Sequence, residues 1–148
     1  MIKPIFLLIA TIVLGAGAAF AEEPKSAMKD KAMAEIKAPR VTAVMVYADW
    51  CSSCKILDPN VTKAKEAGAF EGIDYVVLDY TSRDQEAFFG AADEAGVGPA
   101  VRAHLADEIK TGWLLLVDND DARVVGKAVK SMSPEEIAGA VKSASLAS

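Results

Sequence analysis

The chain's two cysteines, Cys51 and Cys54, stand three apart in Trp50-Cys51-Ser52-Ser53-Cys54-Lys55, directly after the apolar run Val41-Thr42-Ala43-Val44-Met45-Val46-Tyr47. Two thiols so spaced, where a strand ends and a helix begins, are able to form and break a disulfide, because the first helical turn brings the sulfurs within bonding reach. That turn also aims unpaired backbone N–H groups and the positive end of the helix dipole at the first sulfur, which favours its thiolate. Cys51 is the candidate attacking group, and Cys54, one turn inside the helix, has less access to solvent. A stapling disulfide is the plain alternative. A bridge closing so small a loop constrains the unfolded chain little, so the spacing fits redox chemistry better than stabilisation.

The elements that must hold this pair are legible in the apolar pattern. The run from Val41 suits a central strand covered on both faces. From Cys51 the period changes, with Leu57, Val61 and Ala64 at helical spacing, and Pro59 is predicted to kink that helix. A second apolar strand over Ile73 to Tyr80 completes a right-handed βαβ unit. Ser82 is the expected N-cap of a helix holding Phe88, Ala92 and Ala95 that stops near Gly96 and Gly98, and Pro99 opens a further helical stretch to about Glu108. Trp113 to Val117 reads as a buried strand, Asp118 to Asp121 as a turn, and Arg123 to Gly126 as an antiparallel return. Ser133-Pro134-Glu135-Glu136 announces a last helix with Ile137, Val141 and Ala144 on its apolar stripe.

Residues 1–21 read as an export signal: Lys3 supplies the positive charge, Ile5 to Phe20 carry none, and Ala19-Phe20-Ala21 is a small-x-small cleavage site, so the mature chain is expected to start at Glu22. An uncleaved membrane anchor is the alternative; the Gly/Ala-rich second half and the Ala-x-Ala site favour cleavage, with no stable membrane insertion afterwards. No cysteine follows the cleavage site and no twin arginine precedes the apolar run, which points to general secretion and to the periplasm. Residues 22–40 are expected to be a linker with a short helix through Ser26 to Ile36 ended by Pro39, and residues 41–148 the domain. The formal charge of −5 becomes −6 without Lys3, and the lysines are scattered among acids, which excludes nucleic acid as a partner class.

From Val41 to Leu146 the order strand, Cys-x-x-Cys, kinked helix, strand, helix, β-hairpin, helix resembles the thioredoxin family. Tyr47-Ala48-Asp49-Trp50-Cys51-Ser52-Ser53-Cys54-Lys55, with Asp79-Tyr80-Thr81 and Asp84, is similar to the periplasmic thioredoxin-like domain of DsbD-type disulfide reductases, and Pro59 matches the family's kinking proline. The resemblance implies an α/β, thioredoxin-like fold, a central mixed β-sheet flanked by helices. It implies a thiol-disulfide oxidoreductase, more in the reductase direction, with Cys51 as nucleophile and Cys54 as resolver. No cofactor is expected, and the partners are protein thiols and disulfides, a membrane disulfide reductase among them. Trp50, Thr111 and Gly112 fall where the family meets its substrate; Trp50 would shield one side of the disulfide and offer apolar contact.

Two positions depart from the family. Met45 stands where many members bury a carboxylate that moves the resolving cysteine's proton. Gly112 stands where the family places a cis-proline, and since a non-proline cis bond costs several kcal/mol, Gly112 is expected to be trans. The stretch Gly96 to Lys110 is also longer than the usual connection, enough to cover or narrow the groove. These departures keep two other readings open: a redox-inert binding module, and a Cu(I)-binding thiol protein. A closed zinc site wants four ligands, and His104 reads as a surface or satisfied core imidazole. Asp118, Asp120 and Asp121 read as an acidic hairpin turn rather than a calcium loop.

Overall fold

The computed structural model describes residues 39–106 and 108–148. The expected export signal, its cleavage site and the helix over Ser26 to Ile36 lie outside the described residues. The elements are β1 (Val41–Tyr47), α1 (Ser52–Glu66), β2 (Asp74–Asp79), α2 (Gln85–Glu94), α3 (Gly98–Leu105), β3 (Trp113–Asp118), β4 (Arg123–Val129) and α4 (Pro134–Ala147). The strands form one mixed sheet in the order β2-β1-β3-β4, with β1 parallel to β2 and antiparallel to β3, and β4 antiparallel to β3. This is the α/β architecture expected, a mixed sheet flanked by helices.

Side chains alternate across a strand, so the two central strands feed two cores. Ala43 and Met45 of β1, with Leu114 and Leu116 of β3, face α1 and α4, meeting Leu57, Val61, Ala64, Ile137 and Val141. Val44 and Val46, with Leu115 and Val117, face α2 and α3, meeting Phe88, Ala92, Ala100, Val101 and Leu105. Register makes this consistent: Met45 lies opposite Leu114 and Val44 opposite Leu115. Both cysteines belong to the first core. Nearly every residue of β1 is buried, as an apolar run without alternation requires of a strand covered on both faces. The edge strand β2 is less covered, and Val77 is half-exposed.

The chain enters β1 through a latch. The Asn119 side-chain amide donates to the Pro39 carbonyl at 2.7 Å, and the Asn119 main-chain N–H donates to the Arg40 carbonyl at 2.8 Å. The buried Asp118 carboxylate accepts from the N–H groups of Asp120 and Asp121, which closes the turn between β3 and β4 as expected of an acidic hairpin. Ser133 and Glu136 form a complete capping box at the start of α4.

Several boundaries differ from expectation. Asp84, not Ser82, caps α2: its Oδ1 accepts the Ala87 N–H at 3.1 Å, while the Ser82 hydroxyl accepts the Asp84 N–H at 3.3 Å. Arg83 lies between them with φ 62, a left-handed backbone that cannot belong to the helix, so α2 starts only after it. Helix α3 ends at Leu105 rather than near Glu108, because Ala106 also turns left-handed, at φ 47. Strand β4 runs on to Val129, past Gly126, and bulges opposite Leu116 and Val117. Much of the long stretch from Gly96 to Lys110 forms α3, which packs into the core on the sheet face away from the cysteines.

Candidate active site

Cys51 is the N-cap of α1. Its backbone is extended, with φ −83 and ψ 110, and its Sγ accepts the Cys54 N–H at 3.2 Å, so sulfur occupies the place a serine or aspartate oxygen takes in an ordinary cap. A capping acceptor gains from carrying negative charge, and no acidic residue in the first turn competes for the helix N-terminus. Both thiols are free. Cys51 keeps 7% of its surface exposed, and Cys54 is fully buried, its Sγ 3.7 Å from the Val46 carbonyl.

This geometry separates the two thiols chemically. Burial alone would push the Cys51 thiol up, but hydrogen bonds from the Cys54 thiol, the Thr111 hydroxyl and the N–H groups of Cys54 and Ser53 outweigh it and hold Cys51 below its ordinary range. The Cys54 thiol is pushed up to about 11, first by burial and then by the neighbouring Cys51 sulfur. One sulfur is therefore suited to attack and the other waits protonated behind it.

The segment before β3 closes the other side of the pair. Thr111 brings its hydroxyl to the Cys51 sulfur, and Gly112 lies so close that a Cβ there would sit 2.6 Å from Cβ of Ser53 and 3.3 Å from Sγ of Cys51. Gly112 has φ +81 and a trans peptide bond, and its N–H donates to the Val46 carbonyl at 2.8 Å. Proline fits none of this: its ring fixes φ near −65° and it has no N–H. The expectation of a trans Gly112 agrees with this geometry, and the position is shaped for glycine.

Trp50, 45% exposed, is held rather than loose. Its indole N–H donates to the Thr81 carbonyl at 3.1 Å, the Thr81 hydroxyl accepts the Asp49 N–H at 3.0 Å, and the Arg83 guanidinium carbon stands 4.7 Å from the ring centre. The structure thus brings Cys51, Cys54, Thr111 and Gly112 together, with Trp50 beside them in the chain. Sequence reasoning named Thr81 but not its contacts with Asp49 and Trp50, and it missed Arg83 and the Val46 carbonyl. The Val46 carbonyl is backbone and carries no side-chain signal, and Arg83 reaches Trp50 only through its left-handed conformation.

Met45 is fully buried in the apolar core beneath the thiols. His104 is exposed and meets the Trp113 ring edge-on at 5.9 Å. Among the described residues no three His, Cys, Asp or Glu side chains gather to hold a metal ion, and no helix is long and apolar enough to cross a membrane.

A mixed sheet between two helix layers, with Cys-x-x-Cys opening a helix that contains Pro59, defines a thioredoxin-like fold. Among solved structures the chain is similar to Trxlp from Edwardsiella tarda, at 19% identity, 76% of this chain, 89% of the other and a TM-score of 0.46. It is similar to a disulphide isomerase from Xylella fastidiosa, at 16% identity, 87% and 98% coverage and a TM-score of 0.47. StoA from Bacillus subtilis is a third, at 14% identity, 70% and 84% coverage and a TM-score of 0.46. No protein-family model and no curated protein sequence matches the chain.

Proposed function

We propose that the chain is a thiol-disulfide oxidoreductase acting on protein partners through a mixed disulfide on Cys51 that Cys54 resolves. The observation that carries this reading is the asymmetry of the pair: a capped, hydrogen-bonded Cys51 sulfur with its thiol lowered, in front of a buried Cys54 thiol pushed up to about 11. In the reductase direction the Cys51 thiolate attacks one sulfur of a partner disulfide, forming a Cys51–partner bond and releasing the other partner sulfur as a thiolate, which takes a proton. Cys54 then loses its proton and attacks the Cys51 sulfur; the Cys51–Cys54 disulfide forms and the second partner thiolate leaves. Two electrons pass from the pair to the partner, and an external dithiol, such as that of a membrane disulfide reductase, returns them. The reductase direction rests on the DsbD-like residues Tyr47 to Lys55. The same reading has residues 22–148 exported to the periplasm behind a cleaved segment 1–21.

The test is a titration of the Cys51–Cys54 couple against a thiol buffer, followed by Trp50 fluorescence. A reversible two-electron midpoint near about −270 mV supports an electron donor, and one near about −120 mV a disulfide donor instead. A pair that never equilibrates with the buffer overturns the redox reading and leaves a thioredoxin-like binding module.

A further inference from the structure

Arg83 is an expensive residue where it stands. A left-handed backbone is disfavoured for any residue with a Cβ, and arginine has none of the short side-chain hydrogen bonding that eases Asn or Asp into it. Such outliers persist where their surroundings hold them, and they cluster at functional sites. The surroundings here are specific: the Arg83 N–H donates to the Tyr80 carbonyl at 3.0 Å, and the Thr81 N–H donates to Asp79 Oδ1 at 2.7 Å. The turn so closed lays the guanidinium over the face of Trp50, the residue that precedes Cys51.

The guanidinium has no carboxylate partner among the described residues. Ion pairs form at Arg40–Asp120, Arg102–Asp93, Lys110–Glu108 and Arg123–Asp121, and none involves Arg83. Of the acids near it in the chain, Asp79 accepts the Thr81 N–H, Asp84 accepts the Ala87 N–H, and Glu86 forms no ion pair with it. Stacking on an indole occupies the guanidinium's face and leaves its in-plane N–H donors free for a planar acceptor, and a carboxylate is the acceptor that fits that fork. An unpaired cation is thus presented over the ring of Trp50, the residue before the attacking thiol, on a chain whose net charge is −5.

We propose that Arg83, stacked on Trp50, is a specificity-determining residue that selects partners carrying an aspartate or glutamate next to the cysteine presented to Cys51. This rests on the exchange chemistry proposed above and adds the partner class. The partner's carboxylate meets the guanidinium while its apolar flank lies on the exposed indole, and the contact orients the disulfide for in-line attack.

The experiment compares two disulfide-linked peptides, identical except for glutamate or glutamine beside the cysteine, as substrates of the reduced protein. The readout is the ratio of their kcat/KM values for the wild type, Arg83→Gln and Arg83→Lys. The expected wild-type ratio is about fivefold in favour of glutamate; it falls to about one in Arg83→Gln, is partly restored in Arg83→Lys, and shrinks with salt. A wild-type ratio of one, or a preference that survives Arg83→Gln, overturns the Arg83 proposal while exchange with the glutamine peptide leaves the redox reading standing. Failure of the wild type to exchange with either peptide overturns both.

Discussion

Gly112 and Cys51 are packed so closely that a Cβ on the glycine would lie 3.3 Å from the cysteine sulfur, and nearer still, 2.6 Å, to Cβ of Ser53. The loop before β3 is therefore fitted to the thiol helix by the absence of a side chain. Gly112→Ala is expected to lose about 2 kcal/mol or more, from the left-handed φ together with the contact. Gly112→Pro is expected to be worse, because it also removes the N–H that Val46 accepts. Urea denaturation of the reduced proteins checks both; a proline variant as stable as the wild type would refute the argument.

Thr111→Val keeps shape and deletes the hydroxyl that supports the Cys51 thiolate. The Cys51 thiol is expected to titrate higher in the variant. Alkylation by iodoacetamide, measured from pH 5 to pH 9, should show the rising limb displaced to higher pH. An unmoved profile would mean that the Cys54 thiol and the N–H groups of the helix N-terminus set the thiolate without Thr111.

Release from the mixed disulfide depends on deprotonating Cys54. Cys51 carries no charge in that intermediate, but burial, the first cause of the raised Cys54 thiol, persists, and the buried Met45 offers no proton acceptor. The release rate is expected to climb about tenfold per pH unit through neutrality. Stopped-flow mixing with a fluorescent disulfide peptide separates capture from release, and a release rate flat between pH 7 and pH 9 would require a base elsewhere.

Stability should depend on redox state above pH 9. The folded chain holds the Cys54 proton up to about 11, against an ordinary 9.0, so between these values the native state binds more protons than the unfolded one. Its contribution is whole below pH 9 and is lost as pH rises towards 11, a fall of roughly 3 kcal/mol at most. Cys51 has the opposite sign: lowered from 9.0, its contribution accrues with rising pH and is complete by about 9. The oxidised protein lacks both thiols, and Tyr75, raised to about 12 chiefly by burial, acts in either form. Denaturation of the two forms at pH 8, 9, 10 and 11 therefore isolates the pair. Parallel curves would contradict the buried, protonated Cys54.

The parts of this fold governed by a repeating pattern were readable from the chain alone. Val41 to Tyr47 announces a central strand because it has no polar face to leave in water, and Leu57, Val61 and Ala64 mark the buried stripe of α1 by spacing. The Ser133 cap was legible because serine, proline and two acids agree there. The start of α2 was not, since Ser82 and Asp84 are both good caps and the choice falls to the left-handed Arg83 between them. At the candidate site, the cysteines and Trp50 are read from the motif, and Thr111 and Gly112 from the family resemblance by counting back from Val117. The stacking of Arg83 on Trp50 was not legible, because it joins loops more than thirty residues apart through one unusual dihedral.

The Asn119 latch fixes where upstream polypeptide is attached. It clasps Pro39 and Arg40 at the start of β1, whereas the thiols lie beyond the far end of that seven-residue strand, about 20 Å along it. An affinity handle, surface linker or fused carrier joined ahead of Pro39 is thus mounted at the rear of the molecule. Immobilised that way, the domain should present its cysteine end outward, away from the support.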